Sequence, residues 1–360
     1  MRTAQRRFPH LVALSDATGL FEHACFTTPR IDHGYCVDDV ARGLIVLCRA
    51  TPETRPADPT DRADPTDRAD PADPADPTES ELARRYLRFL IRAQAADGQV
   101  INRCDVHGVW HGEPVVEDCW GRALWGFGTA ASRSREPDLA ERALAAFEHG
   151  AGRRSPWPRA MAFAGLGAAE VLRVDSGNLR ARGLLSDAAE AVGRPRPEPG
   201  WPWPWPRLTY ANAVIPDLLL AAGDCLNDGR LTEDGLMLLG WLLDVETAGD
   251  HLSVTPTGGW GAGEPRPGFD QQPIEVASLA DACARAFEMT GDPRWSEAVG
   301  RCAAWFHGAN DLGLALADET TGGCCDGLER DGRNENQGAE STLAQISTMQ
   351  HADRLVAVPR

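Results

Sequence analysis

The sequence predicts an all-α fold, an (α/α)6 toroid closed by six helical hairpins. Three observations predict it. Apolar residues recur at three- and four-residue spacing, Gly/Pro clusters punctuate them, and alternating β-branched runs are nearly absent. Helices rich in Ala, Gly and Leu alternate with helices carrying regularly spaced charges. The spacing between the small-residue helices varies, without the fixed-length consensus of an α-solenoid.

Along the chain, the periodicity predicts helices near 38–50, 81–95, 118–131, 137–149, 158–171, 177–192, 210–226, 230–246, 273–290, 294–307 and 338–350. The odd members suit an inner ring, as in "GRALWGFGTAA" and "RAMAFAGLGAAEVL", because small residues allow close approach on all sides. The even members are amphipathic, as in "ELARRYLRFLIRAQAA" and "PDLAERALAAFEHG", and suit an outer ring. One outer place is left for the N-terminal stretch or the last residues. Residues 52–79 repeat Pro and Asp at short intervals, which blocks helix and central strand alike. They read as a disordered insertion inside a single domain spanning 1–360.

The formal net charge of −17 over 360 residues argues against nucleic-acid and anionic-membrane partners. The basic N-terminus has no apolar stretch behind it, and no run approaches 18 apolar residues. The expected location is therefore cytoplasmic, with the ten cysteines as reduced thiols. Cys324-Cys325 lacks a second CxxC or HxxxH, so no metal and no other cofactor is expected.

In a toroid the starts of all inner helices gather at one rim. The segments before them are "IDHGYCVDD", "GEPVVEDCWGR", "RRSPWPR", "GWPWPWPRLTYANAVIP", "GEPRPGFDQQPIE" and "CDGLERDGRNENQGAE". All are rich in aromatics, carboxylates, amides or Arg, whereas "SREPD" and "LNDGRL" at the other end are plain turns. Each acid alone is compatible with an N-cap. Together they describe a cup suited to sugars, since amides and carboxylates bond hydroxyls and Trp stacks on a ring face. Glycosidic hydrolysis needs two carboxyls across the bond. The catalytic candidates are Asp39, Glu117, Asp118 and Asp270, with Glu117 or Asp118 facing Asp270 across the ring. The binding candidates are Tyr35, Asp38, Arg42, Trp120, Arg122, Trp157, Trp203, Tyr210, Asn212, Gln271, Gln272, Asn334, Glu335, Asn336 and Gln337. Asp38 or Asp39 is also expected near Glu335 or Glu340, because the first and sixth inner helices are neighbours.

The segments "HLVALSDATGLFEHA", "GYCVDDVARGL", "EDCWGRALWGFG", "LTYANAVIPDLLLAAG", "FDQQPIEVASLADAC" and "NENQGAESTLAQI" resemble a bacterial helical-toroid domain of the six-hairpin glycosidase type. That domain often occurs beside or fused to glycosyltransferases. The resemblance implies the same fold and a carbohydrate context, with a small carbohydrate substrate and a glycosyltransferase as candidate partner. Relatives commonly read "DDNARAL" and "LTYDNA", where this chain carries Val40, Gly43 and Ala211. Two readings follow: a glycoside hydrolase-like enzyme acting on a small oligosaccharide or glycoconjugate, or a non-catalytic carbohydrate-binding or glycosyltransferase-partner domain. A terpene-type cyclase would want an acid where Cys36 stands. Sugar epimerisation would want paired histidines, for which His33, His107 and His111 are the candidates.

Overall fold

The computed structural model describes residues 8–50, 77–198 and 200–357. Its frame is six inner helices: α2 (Val37–Arg49), α4 (Asp118–Arg133), α6 (Pro158–Val174), α8 (Val214–Leu226), α10 (Pro273–Thr290) and α12 (Ala339–Ala357). Each packs on the next, and α12 packs back on α2, which closes the ring. The outer helices are α3 (Glu79–Ala93), α5 (Pro137–Gly150), α7 (Leu179–Val192), α9 (Gly229–Val245) and α11 (Pro293–Phe306). A short α1 (Pro9–Ala13) lies against α12 and takes the remaining outer place. The architecture is the (α/α)6 toroid that the alternation of small-residue and charged helices predicts.

The small residues act where two inner helices nearly touch. A Cβ added to Gly128 would collide with the carbonyl of Gly167, and one on Gly167 would collide with that of Leu124. Gly121 stands likewise against the carbonyl of Ala160. Helices α4 and α6 therefore approach backbone to backbone, a distance no larger side chain permits.

The two ends differ. Inner-to-outer turns such as 134–136, 227–228 and 291–292 are short, whereas the outer-to-inner loops 94–117, 193–213, 246–272 and 307–338 are long. Short strands stitch these long loops together. Tyr35–Cys36 pairs with Arg103–Cys104, which pairs with Trp110–His111; Arg207–Leu208 pairs with Trp260–Gly261; and Gly327–Glu329 pairs with Gly332–Asn334. Toward the plain end, polar contacts tie inner helices together. Arg49 of α2 meets Asp281 of α10 at 2.7 Å, and His351 of α12 meets the same carboxylate at 2.5 Å.

Several boundaries differ from expectation. Most of the predicted insertion at 52–79 falls on residues 51–76, outside the described residues. Its last residues belong to α3: Thr78 and Glu81 form a reciprocal capping box, so the helix begins at Glu79. Helix α8 begins at Val214 rather than 210, because Ala211 sits in the left-handed region with φ 45° and residues 210–213 form a turn. Helix α12 runs to Ala357, seven residues past the predicted 350.

Candidate active site

The long-loop rim encloses a cavity of about 500 Å3, within the range of small-molecule sites. Helix α2 supplies Asp38, Asp39 and Arg42; α4 supplies Asp118 and Arg122; α12 supplies Glu340 and Ser341. The rim loops add Glu22, His23, Cys36, Arg103, Tyr210, Gln272, Asp326 and Asn334.

Neither carboxylate of "VDD" is a helix cap. Helix α2 begins at Val37 with Cys36 as N-cap and no side-chain cap bond, and both acids lie in the first turn. Asp39 is 2% exposed. It accepts from the Cys36 thiol at 3.2 Å and from Arg42 Nη1 at 2.5 Å. The Nη2 of the same guanidinium meets Glu340 at 2.5 Å, so Arg42 bridges α2 to α12. Burial pushes the Asp39 carboxyl up to about 6; Arg42 opposes this, while Glu340 and Glu22 add to it. Asp38 lies 3.3 Å from Arg122 Nε. Arg122, 2% exposed, stacks over Phe163 at 3.9 Å, and its Nη2 has no hydrogen-bond partner. Burial, with help from nearby Arg42, lowers its guanidinium to about 10. Burial raises Asp118, which makes no hydrogen bond or ion pair to the protein among the described residues. Glu22 pairs with Arg103, and Asp326 accepts from the amide of Gly338 at 2.8 Å.

Of the residues singled out in the sequence, Asp38, Asp39, Arg42, Asp118, Arg122, Tyr210, Gln272 and Asn334 line this cavity. The others lie elsewhere, and the expected pairing of Glu117 or Asp118 with Asp270 is not formed. Glu117 is the exposed N-cap of α4, one residue before the face that turns inward. Asp270 is exposed, and the acid buried in the first turn of α10 is Glu275. Glu275 accepts from the amides of Ala211 and Asn212 and from Asn212 Nδ2, so Asn212 is a holder of the 210–213 turn. Gln271 is fully buried and donates to Asp311 at 2.5 Å. Tyr35 donates to Asp16 at 2.6 Å and stacks on Phe21 within the core. Trp120 and Trp203 are fully buried, and Trp203 stacks on Trp241 of the outer helix α9. These indoles cover apolar area instead of lining the mouth. Trp157 is exposed at the start of α6. Glu335 is exposed and pairs with Arg333, Asn336 accepts from the Phe26 amide, and Gln337 donates to Asp318.

Sequence reasoning missed Glu22, His23, Arg103 and Asp326 as lining residues. Its histidine candidates did not include His23, which is half-exposed at the mouth and edge-on to His33 at 5.0 Å. For a metal, Glu22, Cys36 and Asp39 bring one donor atom each within 4.8 Å of one another, but Arg103 and Arg42 already face the two carboxylates. The buried Cys324 thiol donates to the Cys325 carbonyl at 3.4 Å, and both cysteines are free. Among the described residues no helix is long and apolar enough to cross a membrane.

Fold and cup define a toroid with an acidic, arginine-braced well at one end. No protein-family model matches the chain, and no curated protein does. Solved structures do. A cellobiose 2-epimerase from Bacillus thermoamylovorans B4167 aligns with TM-score 0.67 at 11% identity, over 97% of this chain and 96% of that one. A D-mannose isomerase aligns with TM-score 0.63 at 11% identity, over 95% and 94%. The cellulase Cel9M of C. cellulolyticium, in complex with cellobiose, aligns with TM-score 0.61 at 7% identity, over 94% and 88%. The structural neighbours are thus six-hairpin glycosidase-like enzymes, and at these identities the likeness carries the fold.

Proposed function

We propose that the protein is a carbohydrate-active enzyme of the glycoside hydrolase type, acting on a small oligosaccharide or glycoconjugate. One observation carries this reading: of two consecutive carboxyls in one cavity, each facing a guanidinium, one is buried with its proton held more tightly and the other is more exposed. Asp39 is buried, bonded to a thiol, and held protonated up to about pH 6. Asp38 is ion-paired to Arg122 in the same cavity. Environments that differ in this way divide an acid role from a base or nucleophile role. Asp39 donates the proton to the leaving oxygen; Asp38 attacks or activates water. Turnover then falls as pH rises through about 6, where Asp39 loses its proton.

A second reading is epimerisation or isomerisation of a sugar, which the names of two of the aligned structures favour. It requires acid/base groups on both sides of one carbon, and the cup presents a single imidazole, His23, among the described residues. An oligosaccharide panel followed by assays for new reducing ends and for new epimers by NMR separates the two. Hydrolysis that Asp39→Asn abolishes supports the first reading. A new epimer without new reducing ends replaces it with the second. Binding without turnover leaves a carbohydrate-binding domain.

A further inference from the structure

The charges of the cup do not balance. Six carboxylates line it (Glu22, Asp38, Asp39, Asp118, Asp326 and Glu340) against three guanidiniums (Arg42, Arg103 and Arg122). The arginines are all engaged: Arg103 with Glu22, Arg42 with Asp39 and Glu340, and Arg122 with Asp38. A uronate or phosphosugar would meet net negative charge, with each guanidinium already facing a carboxylate. Two groups on α4 remain open instead. Asp118 makes no hydrogen bond or ion pair to the protein among the described residues, although the charges of Arg122, Arg159 and Arg42 reach it, and Arg122, which lines the same cavity, keeps a buried Nη2 without a hydrogen-bond partner. They stand four residues apart on one helix, hence on one face about a turn apart. One asks for a donor, preferably cationic; the other asks for an acceptor oxygen.

We infer that the substrate of this cup is an aminodeoxy sugar, its ammonium on Asp118 and a nearby hydroxyl oxygen on Arg122 Nη2. The inference rests on the carbohydrate reading above and adds the substrate class. The free amine supplies the hydrogen-bond donor that Asp118 lacks and a positive charge that suits a net acidic cup, and the sugar ring supplies the acceptor beside it. An N-acetylated sugar keeps the oxygen but loses the charge.

The test is isothermal titration calorimetry on the full chain with three matched disaccharides: the β-1,4 dimer of glucosamine, its N-acetylated form, and cellobiose. The expected result is at least tenfold tighter binding of the free amine at low salt, with the advantage narrowing as salt screens it. Asp118→Asn should reduce the advantage to under threefold, and Asp118→Glu should retain part of it, with circular dichroism showing both folded. If Asp118→Asn does not fold, the wild-type comparison and Asp118→Glu still decide. Equal or tighter binding of cellobiose or the N-acetylated dimer overturns the amine assignment while leaving the carbohydrate reading intact. No binding by any of the three overturns both.

Discussion

Replacing Asp39 with Asn tests the central claim about the cup through stability as well as activity. In the folded chain burial raises this carboxyl from an ordinary value near 3.8 to about 6. At about 1.36 kcal/mol per pH unit, that gap is worth about 3 kcal/mol. The sign follows from linkage. A carboxyl whose folded pKa is raised binds its proton more tightly when folded, so the wild type gains stability as pH falls from about 7 to about 4. Asn cannot titrate and lacks this gain. The quantity to measure is the difference in unfolding free energy between wild type and Asp39→Asn, by urea titration at several pH values from 4 to 8. It should shift by about 3 kcal/mol in favour of wild type toward the acid end, with most of the change between pH 4 and 6. The difference cancels contributions from carboxyls common to both chains. A difference that stays flat across this range would mean that Asp39 is not a buried acid of raised pKa, and its assignment as proton donor would fall with it.

Other perturbations probe the frame. Gly128→Ala forces α4 off α6 at the Gly167 carbonyl and should cost about 1–3 kcal/mol in chemical denaturation, more than Ala in place of an exposed glycine such as Gly152. Arg49→Met leaves the buried Asp281 without its guanidinium, with only His351 and Ser347 as hydrogen-bond partners among the described residues, and should destabilise by about 3–5 kcal/mol, read as a fall in Tm. Burial alone would raise Glu170, yet its pairing with Arg133 brings it down to about 2 from an ordinary 4.5. This contribution of about 3 kcal/mol is present above pH 4.5 and should disappear as pH falls toward 2, a loss that Glu170→Gln removes from the acid-unfolding curve. Replacing residues 52–77 with a short Gly/Ser linker should leave Tm within a few degrees, while Thr78→Ala breaks the α3 capping box and should cost about 1 kcal/mol.

The fold was legible because its signals are local. Small-residue and charged helices alternate, and each turn carries its own Gly or Pro. Part of the cup was legible for the same reason: Asp38, Asp39 and Arg42 share one helical turn, as do Asp118 and Arg122. The rest of the cup comes from pairings between distant loops. Arg103 is placed by strand pairing with Cys36, and Glu22 by hydrogen bonds to Gly34 and Ala339. No local periodicity encodes such contacts. The tryptophans misled because an indole suits a sugar platform and a packed core equally, and composition does not say which face is covered. The turn at 210–213 was hidden because Ala211 is an unusual residue to hold a left-handed conformation.

The plain end of the barrel has a consequence for traffic. Beneath the cup, Arg42 and Arg122 also border a small apolar chamber of about 50 Å3, and Arg49 and Asp281 line it as well. Asp281 belongs to the network with His351 that ties α10 to α12. The barrel therefore narrows sharply below the cup, from about 500 to about 50 Å3, and the rim is the wider way in to Asp39. Under the carbohydrate reading proposed above, such a vessel would take the tip of a glycan before its middle, and product would leave by the rim through which substrate came.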